Sequence, residues 1–143
     1  MTDSMNRSVG RALAMLEVLA GTDDALGLSE LASRLDVPKS SALMLLRSLR
    51  EHGFVETDEH GRYRVGLRAF EVGSSFLRGM TPTKAAQEQL RLLTMTLGVT
   101  SHFAVLDGES VVYLAKEEPT DLGFRLASFV GARLPARTTA VGK

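Results

Sequence analysis

Lys39, Ser40, Ser41 and Arg47 stand close together directly after Pro38. Lysine and arginine only donate hydrogen bonds, and a serine hydroxyl donates readily. Such a set suits phosphate oxygens, and an arginine fork also fits O6 and N7 of guanine. Leu43 or Met44 must share that surface, where either would touch a thymine methyl or simply pack. Ser29 adds an earlier hydroxyl. Arg62 and Arg64 form a second basic pair, two residues apart and therefore on one face of an extended segment. This is chemistry for holding a polyanion.

Catalysis finds no comparable support. His52, His60 and His102 show no metal-ligand spacing, and no serine sits in a nucleophile elbow. Gly142-Lys143 resembles the end of a phosphate loop, but the glycine required upstream falls at Arg137. Asp107 and Glu109 flank a turn, where hairpin chemistry accounts for them. The chain has no cysteine, which removes disulfides and thiolate metal sites. The expectation is a protein that is not an enzyme, with no metal and no cofactor. The N-terminus lacks a signal-peptide layout and no run reaches membrane-spanning length, so the expected place is the cytoplasm.

The candidate residues need a scaffold, and Leu28–Arg47 reads as two short helices joined by a tight turn. Numbered from Leu28, the fifth place must be small for the helices to cross closely, and it is Ala32. Leu31, Leu35, Val37, Ala42 and Leu45 supply the apolar contacts at the fourth, eighth, tenth, fifteenth and eighteenth places. The ninth place needs positive φ and is Asp36, one of the few non-glycine residues that tolerates it. Ser29 is expected to cap a first helix over Glu30–Leu35. Pro38 suits the first turn of the second, Ala42, Leu45, Leu46 and Leu49 form its inward stripe, and Gly53 ends it.

Around this core the periodicity predicts further elements. Val9, Ala12, Leu13, Leu16, Leu19 and Ala20 mark an amphipathic helix stopped by Gly21, with Met15 and Val18 widening its apolar surface. Phe54–Thr57 and Arg62–Val65 read as a hairpin, which makes the whole a winged helix-turn-helix over residues 1–66. A linker helix is expected over 67–81, opened by Leu67 and Phe70. Thr81-Pro82 then starts a helix whose stripe is Ala86, Leu90, Leu93 and Leu97. Ser101–Leu106 and Ser110–Ala115, joined through Asp107-Gly108, are a hairpin, Leu122–Phe129 is a third strand, and the remainder is loop. One helix and three strands leave open edges and a bare face, so residues 82–143 are expected to be the first part of a larger domain, apparently truncated. The fold class is α+β.

Length and charge are compatible with this division. The 143 residues leave room for two small domains, and 44% hydrophobic with 24% charged residues favours a folded chain. Net charge is zero, and residues 1–66 hold 8 Lys and Arg against 10 Asp and Glu. From Pro38 to Arg68 the balance reverses, with 6 basic against 4 acidic residues. The electrostatic case for nucleic acid is local.

Ser8-Val9, Arg11-Ala12-Leu13 and Leu16, Leu28–Ala32, Val37–Ser40, Leu45–Arg47 with Leu49, and Gly61–Gly66 together resemble the IclR family of bacterial transcriptional regulators. So do Gly131–Pro135 and Ala140–Lys143. The resemblance implies a GAF-like α/β effector domain, a homodimer or tetramer, double-stranded operator DNA as partner, and a small-molecule effector, often an organic or aromatic acid. It implies Ala140 and Val141 as effector-binding candidates. Members typically carry histidine and arginine where this sequence has Leu43 and Met44. A helix-turn-helix scaffold used for protein interaction without DNA is the alternative reading.

Overall fold

The computed structural model describes residues 2–79, 82–120 and 128–143. They form two compact units, Met1–Phe76 and Leu77–Lys143.

The first unit contains helices α1 (Thr2–Ala20), α2 (Leu28–Arg34) and α3 (Lys39–Glu51), then strands β1 (Val55–Thr57) and β2 (Tyr63–Val65) and most of helix α4 (Leu67–Arg78). Its core gathers Met15, Leu19, Leu26, Leu31, Ala32, Ala42, Leu46 and Val55, all buried. Ala32 and Ala42 let α2 and α3 cross closely, and Leu35, Val37, Leu45 and Leu49 pack around the crossing. Asp36 turns the chain between them at φ 50°, alone among the described non-glycine residues in having positive φ.

Two expectations shift here. Helix α2 begins at Leu28, because that leucine packs against the core, and Gly27 is its N-cap. Ser29 therefore lies inside the helix and caps nothing. On α1 the inward line runs through Met15 and Leu19, while Val9 and Leu13 are more than half exposed and Ala20 is exposed too. Nearly every side of this helix is apolar, so its phase was decided by α3 and the core beneath it.

Helix α3 ends as expected. Gly53 takes φ +75°, its N–H donates to Arg50 O at 3.0 Å and the Phe54 N–H to Leu49 O at 2.9 Å. That pair of bonds closes a helix end on a left-handed residue. The chain then enters β1, which pairs antiparallel with β2 in the register Val55↔Val65, Glu56↔Arg64, Thr57↔Tyr63. Leu26 adds a bridge to Tyr63, so the wing is fastened to the loop before α2.

The second unit has helix α5 (Pro82–Leu97), strands β3 (Ser101–Asp107), β4 (Ser110–Glu117) and β5 (Arg133–Pro135), and a 3₁₀ turn over Ala136–Thr138. The sheet order is β3-β4-β5, all antiparallel. Gly108 and Glu109 make the β3–β4 turn, with Gly108 at φ +59°. The buried line of α5 is Leu90 and Thr94, with Leu93 and Leu97 exposed, so the expected stripe is rotated. Thr94 sits there because its hydroxyl reaches Ser101 Oγ at 3.0 Å and Glu117 O at 3.4 Å. Arg133–Pro135, expected as loop, is an edge strand, a place that accepts proline because the outer side has no ladder to complete. The expected strand over Leu122–Phe129 lies mostly outside the described residues, as does the capping Thr81.

Candidate nucleic-acid interface

The outward side of α3 follows from its inward one. With Ala42 and Leu46 buried, Ser40, Met44, Arg47 and Glu51 fall at i, i+4, i+7 and i+11 along the opposite line. All four are exposed, Met44 at 70%. Lys39 is exposed at the first turn, whereas Ser41 and Leu43 are half-buried flanks. Between Leu43 and Met44, the exposed member is Met44. Ser29 is exposed on α2. Arg50, not anticipated as part of this surface, is exposed beside it.

The first turn of α3 adds backbone donors. Its earliest helical bond is from the Ala42 N–H to Pro38 O, which leaves the N–H groups of Lys39, Ser40 and Ser41 outside the ladder. They point in the direction the helix dipole makes favourable for anions. Among the described residues neither Lys39 nor Arg47 has an ion-pair partner.

The wing arginines are in a different condition. Asp58 organises the turn: its Oδ1 accepts the N–H of His60 at 2.9 Å and of Arg62 at 2.8 Å, and its Oδ2 accepts Arg62 Nε at 3.1 Å. The Arg62 backbone N–H, aided by that guanidinium and the His60 N–H against the opposing effect of burial, holds the Asp58 carboxyl below the usual carboxylate range. Gly61 completes the turn at φ +74°. Arg64 donates from Nε to Glu56 Oε1 at 2.6 Å, directly across the two strands. Both arginines are thus matched by carboxylates of the wing itself. The signal was present in the sequence, since Glu56 and Arg64 are outward positions that a hairpin brings opposite each other.

Ala140 and Val141 are exposed, at the tip of a turn that folds back on the 3₁₀ segment. The Gly142 N–H donates to Thr139, and a Cβ at Gly142 would meet the Ala136 carbonyl oxygen at 2.2 Å. Elsewhere in this unit His102, directly opposite Lys116 in the β3–β4 register, hydrogen-bonds through Nε2 with Ser128 Oγ at 2.7 Å. Lys116 donates to Ser128 O at 2.6 Å and pairs with Glu118 at 2.8 Å. The His102 ring meets Tyr113 edge-on, 4.9 Å between centroids. Burial, then the Lys116 charge, lowers the His102 pKa, with Glu118 opposing. The cluster ties Ser128 to the sheet. Among the described residues no group of three or more His, Asp or Glu is placed to hold a metal ion, and no helix is long and apolar enough to cross a membrane.

Comparison with known proteins adds an independent line. Residues 8–59 match the family described as IclR helix-turn-helix domain, and residues 75–143 the one described as bacterial transcriptional regulator IclR C-terminal. The HTH-type transcriptional regulator XynR of Escherichia coli is 32% identical over 138 residues, covering 96% of this chain and 54% of that protein. The glycerol operon regulatory protein of Streptomyces griseus is 36% identical over 139 residues, with coverage of 96% and 54%. Among solved structures, an IclR transcriptional regulator from Alicyclobacillus acidocaldarius superposes with a TM-score of 0.78 at 28% identity, covering 95% of this chain and 56% of that one. The chain spans about half the length of the curated relatives it matches.

Proposed function

The chain belongs to the IclR family of transcriptional regulators, and from that premise we propose that it binds double-stranded operator DNA under the control of a small-molecule effector. The observation that carries the reading is the outward line of α3. It presents Ser40 and Arg47, flanked by Lys39 and by unladdered N–H groups, on a crossing whose inner side is wholly apolar. In this reading Lys39, Ser40 and Ser41 hold phosphates at the helix start, Arg47 reaches base edges, Met44 makes apolar contact, and Ser29 approaches the backbone from α2. Arg62 and Arg64 add phosphate contacts from the wing.

The working division is residues 1–66 for DNA, 67–81 as linker and 82–143 for effector binding, with Ala140 and Val141 at the effector site and an organic or aromatic acid as ligand class. A homodimer or tetramer working in the cytoplasm completes the proposal. Val9 and Leu13 on α1, with Leu67, Phe70 and Phe76 on α4, support self-association, since each is more than half exposed.

Salt-dependent retention on duplex DNA tests the reading. Phosphate contacts release counterions, so affinity must fall steeply as salt rises. Retention that ignores salt, or none at low salt, favours a scaffold for protein interaction instead.

A further inference from the structure

Two ion pairs in the wing are built differently, and the difference has a functional consequence. Asp58 accepts two backbone N–H groups besides the Arg62 guanidinium, and its side chain is only 17% exposed. Its removal would undo the turn. Among the described residues Glu56 accepts only from Arg64, across an exposed pair at 46% and 63% side-chain exposure. Separating Glu56 from Arg64 requires rotation of two side chains and no change in the ladder.

We propose that Glu56 is an internal counter-charge that occupies Arg64 in the free protein and must surrender it to a DNA phosphate, so that Glu56 sets how tightly the wing grips any duplex. The inference rests on the DNA-binding reading above. An exposed pair of this kind is held weakly, because solvent screens it and ordering two long side chains opposes it. A duplex, with its dense phosphate charge, can therefore displace the carboxylate. The exchange leaves Glu56 unpaired beside phosphates, and that repulsion works against binding. The effect is independent of base sequence, since Arg64 meets the backbone. It complements α3, whose Lys39 and Arg47 have no such partner to give up among the described residues. A surface balanced in this way depends more on what α3 reads and less on bulk attraction.

The test measures binding of the chain to a short mixed-sequence duplex by fluorescence anisotropy over a range of NaCl concentrations. The proteins are the unsubstituted chain, Glu56→Gln, Glu59→Gln, Arg64→Ala and the Glu56→Gln/Arg64→Ala double variant. Glu59 is the charge control, because it stands in the same wing beside His60 and, among the described residues, without an arginine partner. Glu56→Gln is expected to tighten binding roughly two- to fivefold and to steepen the salt slope by up to about one unit. Glu59→Gln should give a smaller gain, and the Glu56→Gln gain should shrink to that size once Arg64 is gone, leaving only the relief of repulsion. Equal gains at positions 56 and 59, a Glu56→Gln gain undiminished by loss of Arg64, or no gain would each overturn the exchange. No binding by the unsubstituted chain at low salt would instead overturn the DNA-binding reading and this inference with it.

Discussion

A Cβ on Gly66 would stand 2.3 Å from the carbonyl oxygen of Gly53. The two glycines bring the end of the wing against the end of α3, and the Gly66 N–H donates to Phe54 O at 2.8 Å. Gly66 is needed for close approach, Gly53 for its φ of +75°. Gly66→Ala must push two backbones apart, at a cost of about 1–3 kcal/mol. Gly53→Ala should cost about 1–2 kcal/mol through strain alone. Urea midpoints at unchanged slope would measure both, and a Gly66→Ala protein as stable as the original would refute the packing described.

Leu46 and Met44 separate scaffold from surface on one helix. Leu46 is 0% exposed and Met44 70%. Leu46→Ala should destabilise by about 2–5 kcal/mol. Met44→Ala should leave the unfolding free energy within about 0.5 kcal/mol of the original. Its effect, in the reading proposed, appears in DNA affinity.

Arg47→Ala should weaken operator binding by about 1–3 kcal/mol if the guanidinium meets a guanine, with thermal stability unchanged because the side chain is exposed. Affinity equal to the original would strike Arg47 from the contact list. Arg62→Ala should weaken binding to all sequences alike, and it also removes a bond from the Asp58 turn.

His102 predicts a pH dependence in the second unit. Burial and Lys116 lower its pKa from 6.5, while Glu118 raises it, so the unfolded chain binds the proton more readily than the folded one. Stability then rises with pH across that window, and it declines as pH falls through about 6.5. Denaturant midpoints between neutral and mildly acidic pH should show this, and His102→Gln should flatten it. A midpoint rising on acidification would contradict the assignment.

Much of the helix-turn-helix fold was legible because its demands are local. A small residue where helices cross, five apolar places and a turn position tolerant of positive φ can all be read from Ala32, from Leu31, Leu35, Val37, Ala42 and Leu45, and from Asp36. What was not legible depended on partners distant in sequence. Helix α1 offers apolar residues on most sides, and only the placement of β2, α3 and α2 around it selected Met15 over Val9 and Leu13. Ser29 looked like a cap until Leu28 found a place in the core and drew the helix start back to Gly27. Thr94 replaced a leucine in the buried line of α5 because Ser101 and Glu117 satisfy its hydroxyl.

The same boundary runs through the candidate interface. Amino-acid types alone named Lys39, Ser40, Arg47, Arg62 and Arg64, since donors for an anion are a property of side-chain chemistry. Which of them stand ready was decided in space. Helical geometry puts Arg47 out into solvent, while strand pairing sets Glu56 opposite Arg64 and the turn wraps Asp58 around Arg62. Charge is written residue by residue, but the neutralisation of a charge depends on distance, and distance is settled only when the chain has folded.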